Sequence, residues 1–452
     1  MIQKLLVIIY KDMNLNNIQN IHFIGIGGIG MSGLARFFLH EGKTVSGSDR
    51  AASAITDALV REGVEFFPTQ IAENLSKGIN PLLPDMIVYT EAMAHDHPEM
   101  MAARLLGVPM MNYFDALGLV ASEYYLIAVA GTHGKTTTTA MLADVLEEAG
   151  LDPTVIVGSL RSKTGSNFRP GKSKYAIVEA CEYKRDFLSL KPDVLVITNI
   201  EYEHVDYYKN LADVQEAFSE LIGQVKEGGA IVANTTDPAL IPVLSHLTNN
   251  GHPMTVIDYR LYIDLDLKLR QPGMHNRMNA AAARGVAEFL KVETSTTNEA
   301  LENFAGTWRR FEFKGDVLGT PVYDDYAHHP TEIRVTIKGT RELYPKRKLI
   351  VVAQTHTYSR TKELFDEFVS AYAAADQVYL LPIYAAREDN LSGISSEQLA
   401  DAITEKGTPA VAMQTAAGIA QTIRESLNES EPAVVVIMGA GNVTEVASGL
   451  TK

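Results

Sequence analysis

The sequence predicts an α/β protein of three consecutive domains, each a largely parallel sheet covered by helices. Three observations carry that expectation. A chain of 452 residues holds two to four domains of ordinary size. Short β-rich runs alternate with helical patterns almost throughout. The stretches that follow those runs are polar and glycine-rich, as expected where ligands gather beyond the carboxyl ends of parallel strands. Hydrophobic residues at 46% and charged residues at 21% match a folded globular chain.

The first block, 21–118, opens with a strand at 21–24, turns through Gly25-Ile26-Gly27-Gly28-Ile29-Gly30 and reaches a second strand at 44–48, followed by Asp49. Gly25, Gly27 and Gly30 fit G-x-G-x-x-G, and an acid stands about 20 residues on, which makes this unit Rossmann-like. The same glycines suit the pyrophosphate of any nucleotide-sugar diphosphate, so the pattern reports a diphosphate rather than a redox cofactor. Residues 1–20 read as a loose extension or an upstream start, because Met13 opens a polar stretch.

The second block, 119–315, has strands at 126–130, 175–178 and 194–198 and a helix at 276–290. Its first strand runs into Gly131-Thr132-His133-Gly134-Lys135-Thr136-Thr137. Glycines let backbone N–H groups approach phosphate oxygens, Lys135 can reach the β- and γ-phosphates, and the Thr136 hydroxyl can ligate Mg²⁺. The loop is two residues shorter than G-x-x-x-x-G-K-[ST], yet it keeps the strand–turn–helix context, and it predicts nucleoside triphosphate binding with a P-loop-like parallel sheet. The second strand delivers Glu179 and then Glu182; the third delivers Asn199, Glu201, Glu203, His204 and Asp206. Mg²⁺ prefers oxygen ligands, so Glu179 is the first choice for it, whereas a lone histidine is more often structural. Asn276 on its own reads better as a helix cap, and Arg309-Arg310 reads equally as a phosphate fork or a solvated pair.

The third block, 316–452, places strands at 349–353, 378–382 and 433–438, another Rossmann-like doubly wound pattern. Asp324-Asp325-Tyr326-Ala327-His328-His329-Pro330 opens it, and Gln354 to Arg360 follows a strand directly. Arg360 is placed either to clamp a carboxylate or phosphate or to form an ion pair within the fold.

Composition removes several function classes. Forty Lys and Arg against 55 Asp and Glu leave a formal charge of −15, which disfavours nucleic acid as a partner. The apolar run 5–10 is far short of a membrane span. Cys181 is the single cysteine, so no internal disulfide forms and a reducing, cytoplasmic setting is expected. The chain is expected to act on small molecules, as a monomer or homodimer.

Residues 131–137, Glu179, 199–206, 273–279, Arg309-Arg310 and 324–330 together resemble, in order and spacing, the Mur ligases, the ATP-dependent amide-bond-forming enzymes of peptidoglycan precursor synthesis. Residues 21–33, 47–49 and 354–360 resemble the alanine-adding branch of that family. The resemblance implies UDP-N-acetylmuramate on the first domain at Gly25, Gly27, Gly28, Gly30, Met31, Ser48 and Asp49. It implies ATP on residues 131–137 (Gly131, Thr132, His133, Gly134, Lys135, Thr136, Thr137), with Asn276 and Asn279 facing adenine, Arg310 the phosphates and Asp325 the ribose. Lys135, Glu179 and His204 are implied as catalytic, Thr136, Glu179 and His204 as the Mg²⁺ ligands. L-alanine is implied near Tyr326, His328, His356 and Arg360. Glu203 stands where the family usually has Asp. Ala92-Met93 is reminiscent of the branch that attaches the tripeptide L-Ala-γ-D-Glu-meso-diaminopimelate to the same nucleotide sugar, which is the alternative reading.

Overall fold

Near-continuous apolar runs in this chain become two-faced parallel strands. The computed structural model describes residues 15–75, 83–94, 96–245, 254–386, 388–391, 393–428 and 431–451. Residues 1–14 of the expected extension lie outside the described residues; Ile18 is already buried, and the first strand starts at Asn20. The first sheet comprises β1 (Asn20–Ile24), β2 (Thr44–Ser48), β3 (Glu65–Phe67), β4 (Met86–Tyr89) and β5 (Met110–Asn112), all parallel, in the order β3-β2-β1-β4-β5. Strand order reverses between β1 and β4, where a doubly wound sheet opens its ligand crevice. The turn at Gly25 leads from there into α1 (Ile29–His40).

The second sheet is built from β6 (Tyr125–Ala130), β7 (Thr154–Arg161), β8 (Ser166–Arg169), β9 (Tyr175–Glu179), β10 (Val194–Ile197), β11 (Ala230–Ala233) and β12 (Thr255–Asp258). Its order is β12-β11-β10-β6-β9-β7-β8, parallel except for β8, which returns antiparallel on β7. Val194 to Ile197 and Ala230 to Ala233 are buried at every position, as central strands covered on both faces must be. One covering layer is α2 (Lys135–Glu148), buried from Thr136 through Leu146, against the alanines 280–283 of α3 (Met274–Phe289). Small side chains let these two helices approach closely.

The third sheet contains β13 (Glu312–Val317), β14 (Thr320–Asp325), β15 (Lys348–Ala353), β16 (Gln377–Leu380), β17 (Ala410–Ala412) and β18 (Ala433–Met438), in the order β13-β14-β18-β15-β16-β17. Five strands are parallel and β13 pairs antiparallel with β14, so this sheet starts at Glu312 with an edge hairpin that hydrophobic periodicity does not reveal. The expected strands elsewhere appear within a residue or two of their predicted positions.

Buried polar contacts join the units. Asn167 on β8, fully buried, accepts from Arg36 Nη1 at 2.6 Å and donates to Ser32 Oγ at 3.1 Å, which seats α1 on the second sheet. Among the described residues no helix is long and apolar enough to cross a membrane.

Candidate active site

The chemistry-bearing residues collect where β6, β9, β10, β14 and β15 end. Between β6 and α2 the chain turns at Gly131 (φ +133°) and Gly134 (φ +82°), a left-handed conformation that L side chains rarely adopt. A β-carbon on Gly131 would overlap Thr198 Oγ1, and one on Gly134 would overlap Asn279 Oδ1. Backbone pairing pins the loop: Thr132 N–H donates to Asn199 O (3.0 Å) and His133 N–H to Asn199 Oδ1 (2.9 Å), while Thr198 Oγ1 donates to His133 O (2.6 Å). No side chain caps α2 at Gly134, so the first-turn N–H groups stay available for an anion.

Lys135 Nζ donates to Gly131 O (2.6 Å) and Thr132 O (3.0 Å) and lies 2.9 Å from Glu182 Oε2. Burial opposes the lysine's charge, but Glu182 outweighs it and raises the ammonium above its ordinary value. Thr136 Oγ1 donates to Glu179 Oε1 (2.8 Å), and Gly158 N–H donates to Glu179 Oε2 (2.8 Å). His204, at φ +54°, sets its Nε2 3.2 Å from Glu182 Oε1. Of the three expected metal ligands, Thr136 and Glu179 are therefore in direct contact, and His204 is tied to Glu182. Glu182 itself, buried between a lysine and a histidine, carries no motif that would single it out.

A cavity of about 290 Å³ opens between the second and third units. His133, Gly134 and Thr137 line one side; Asn276 and Asn279 the next; Arg310 and Asp325 the far wall. Tyr259, Met278, Phe304 and Phe311 give it an apolar lining that suits a flat ring; they come from loops and helix faces without a motif. Gly273, not Asn276, is the N-cap of α3, and Asn276 points inward, its Nδ2 donating to Pro272 O (2.9 Å) and its Oδ1 accepting from Asn279 Nδ2 (3.3 Å). Asp325 accepts N–H bonds from Phe311 (2.9 Å) and Ala327 (2.7 Å), and burial pushes its carboxyl up to about 6 against the Arg310 charge. Arg310 lies over the Tyr326 ring at 5.2 Å, whereas Arg309 is buried on Asp324 (3.0 Å), so the arginine pair divides into one pocket residue and one structural residue.

His275, also on the cavity wall, has its imidazole pushed down to about 4 by burial, and its Nε2 takes a hydrogen bond from Asn276 Nδ2 (3.1 Å). A group with its folded pKa depressed from 6.5 contributes stability at neutral pH that is lost as pH falls toward 4. The Tm advantage of the wild type over H275Q is expected to shrink between pH 7 and pH 5 in differential scanning calorimetry. A pH-independent difference would show that the imidazole is not kept neutral.

Charged contacts close the seam between the units. His133 Nδ1 lies 3.2 Å from Glu332 Oε1 on α4 (Pro330–Leu343), and its Nε2 lies 3.5 Å from Glu201 Oε2. Burial opposes protonation there, but the two carboxylates overcome it and push the imidazole up to about 10. Thr331 Oγ1 donates to Glu201 Oε2 (2.8 Å). Arg360, on α5 (Tyr358–Glu363), donates from Nε (2.8 Å) and Nη2 (2.5 Å) to Glu203 Oε1, and its Nη1 lies 3.1 Å from His356 Nδ1. Burial would raise the Glu203 carboxyl, yet Arg360 holds it well below the usual carboxylate range. His328 and His356, 5.8 Å apart, are both pushed down to about 4 by burial, and Tyr326 O lies 3.0 Å from His328 Nδ1. The expected amino-acid residues are thus brought together, with Arg360 engaged internally. Glu332 was legible only as the fourth residue of a His-Pro-Thr-Glu capping box.

The first unit keeps its expected residues apart from that cavity. Gly27 N–H donates to Asp49 Oδ2 (2.8 Å), so the acid closes the glycine turn, and Gly25 and Gly30 lie against Thr90 and Tyr113. Gly28 caps α1. Met31 and Ser48 fall beneath the turn: Met31 is in the apolar core, and the fully buried Ser48 donates to Glu99 Oε2 (2.6 Å).

Three family models match the chain: "Mur ligase family, catalytic domain" over 20–125, "Mur ligase middle domain" over 129–261 and "Mur ligase, glutamate ligase domain" over 309–441. A UDP-N-acetylmuramate--L-alanine ligase of Agathobacter rectalis is 39% identical, over 96% of this chain and 98% of that protein. One of Caldanaerobacter subterraneus subsp. tengcongensis is 38% identical over the same shares. The crystal structure of the UDP-N-acetylmuramate-alanine ligase of Thermotoga maritima superposes with a TM-score of 0.77 at 28% identity, covering 95% of this chain and 98% of that one. A murein peptide ligase from Psychrobacter arcticus shares the fold, with a TM-score of 0.69 at 24% identity.

Proposed function

The chain belongs to the Mur ligase family, and from that premise we propose that it joins L-alanine to the lactyl carboxylate of UDP-N-acetylmuramate using ATP. The observation that carries this reading is a line of polar contacts running from the phosphate-loop Lys135 through Glu182, His204 and Glu203 to Arg360. It links a cation suited to phosphate with a cation suited to a carboxylate across the seam of two units. Residues 21–118 take the nucleotide sugar, 119–315 the ATP and 316–452 the amino acid.

A carboxylate is a poor electrophile, so phosphoryl transfer from ATP first converts it to an acyl phosphate. ADP is the leaving group of that transfer; the alanine nitrogen, as the free amine, then forms the C–N bond as the C–O bond to the phosphate breaks, and its proton passes to the departing phosphate. Catalysis of this kind is mainly positioning and charge neutralisation. Lys135 exchanges its loop carbonyls for the β- and γ-phosphates, the first-turn N–H groups of α2 face the same oxygens, and the His133 imidazolium and Arg310 add positive charge. Asn276 and Asn279 read the adenine, and Asp325 accepts from the ribose. Thr136 and Glu179 are the oxygen donors that fit Mg²⁺, which would neutralise the transferring phosphoryl group when bound, and His204 would join them by leaving Glu182. Arg360 takes the amino acid's carboxylate, with Tyr326, His328 and His356 around it. An acidic, single-cysteine chain accords with a cytoplasmic setting and small-molecule substrates.

A second reading rests on Ala92-Met93 in the first unit, with the murein tripeptide as acceptor. Phosphate release from purified protein with ATP, Mg²⁺ and UDP-N-acetylmuramate separates them. Stimulation by L-alanine is expected. Stimulation by L-Ala-γ-D-Glu-diaminopimelate alone would transfer the assignment to the peptide-adding reaction, and silence with both would sink the ligase reading.

A further inference from the structure

A free α-amino acid carries a carboxylate and an ammonium on one carbon, and Arg360 accounts only for the first. The Arg360–Glu203 pair bridges the second and third units, and both partners are more than nine-tenths buried. Both guanidinium bonds fall on Oε1 of Glu203, which also takes the His204 N–H at 3.1 Å. Oε2 accepts none of them; it lies 3.9 Å from His329 Nε2. We propose that Glu203 is the ammonium-binding residue of the amino-acid site, and that Glu203 and Arg360 together form a receptor for the zwitterion. When the substrate carboxylate takes the Arg360 fork, Glu203 loses its guanidinium partner while it stays buried.

The neighbours do not replace that partner. His328 and His356 are neutral because burial depresses them, and His329, on the Oε2 side, is depressed for the same reason. Its Nδ1 accepts the Thr331 N–H at 3.3 Å, so Nε2 carries the hydrogen of the neutral ring. A buried carboxylate without its counter-charge is costly, and the ammonium supplied by the same ligand is the cation that restores it. The pair is thus held closed by its own complementarity until a ligand with both charges satisfies both halves. This rests on the ligase reading above and adds to it the residue that recognises the amine end.

Propionate tests the point, because it is L-alanine without the ammonium. In E203Q the KM for L-alanine is expected to rise about tenfold or more, with the KM values for ATP and UDP-N-acetylmuramate within about twofold, while the inhibition constant of propionate stays near its wild-type value. E203D withdraws the carboxylate by one methylene without removing its charge, and is expected to weaken alanine by a smaller factor, again with propionate spared. The proposal fails if alanine and propionate weaken together, or if neither changes, in whichever of the two variants folds. Wild-type protein that shows no alanine-dependent phosphate release sinks the ligase reading instead, so the two failures are distinguishable.

Discussion

Turnover by Lys135→Ala is expected to fall by about a thousandfold or more, while UDP-N-acetylmuramate binding measured by calorimetry stays within a few-fold of wild type. The magnitude follows from removing the charge that the proposed function sets against the phosphates in a largely buried site, where single donors are worth roughly 10²–10³ in rate and a full cation more. The glycine turn of the first unit, on which the proposed function seats the nucleotide sugar, contributes no residue to the cavity beside Lys135, so binding of the sugar is expected to survive loss of the lysine. The variant also leaves Glu182 buried without its ammonium partner, with His204 Nε2 3.2 Å away, and the double variant K135A/E182Q separates that structural effect from the catalytic one. If K135A turns over at the wild-type rate, the phosphate-loop assignment is wrong.

Arg161→Leu is expected to give the largest loss of stability. Arg161 ends β7 with 2% exposure and pairs with Asp144 and, at 2.6 Å, with Glu147, both on α2. Burial pushes Asp144 above its ordinary range even with the arginine present, so Asp144 depends on the guanidinium, while Glu147 keeps Lys163 (3.2 Å) and Arg169 (3.3 Å). Removing one partner of a buried network leaves uncompensated charge and costs about 3–5 kcal/mol. The first denaturant midpoint monitored by circular dichroism should fall accordingly, and replacing all three residues with apolar ones of similar volume should recover most of it. An unfolding free energy within about 0.5 kcal/mol of wild type for the single variant would show that solvent reaches the pair.

Some of this was readable along the chain and some was not. The phosphate loop was legible because glycine, lysine and threonine must stand in one order between a strand and a helix, and local backbone requirements do not depend on distant contacts. Asn276 was ambiguous: a cap and a pocket residue use the same side chain at almost the same place, and only the position of Gly273 as the cap separates them. Glu182 and Glu203 stand out in sequence only as acids that follow a strand, and Glu332 only as a helix-capping residue, with nothing along the chain to name their partners. Their burial against Lys135, Arg360 and His133 comes from residues 47, 157 and 199 positions away.

What the sequence by itself determined is the alternation that builds three sheets, the glycine turns at Gly25 and Gly131, and the chemical kinds of side chain that stand at the strand ends. Those follow from local periodicity and from backbone conformations that few residues adopt. What only the tertiary structure decided is pairing: that Arg360 meets Glu203, that His204 meets Glu182 rather than Thr136 and Glu179, and that Arg309 is structural while Arg310 faces the cavity. A charge's role is set by the partner that shares its desolvated space, and that partner is chosen by the packing of whole units.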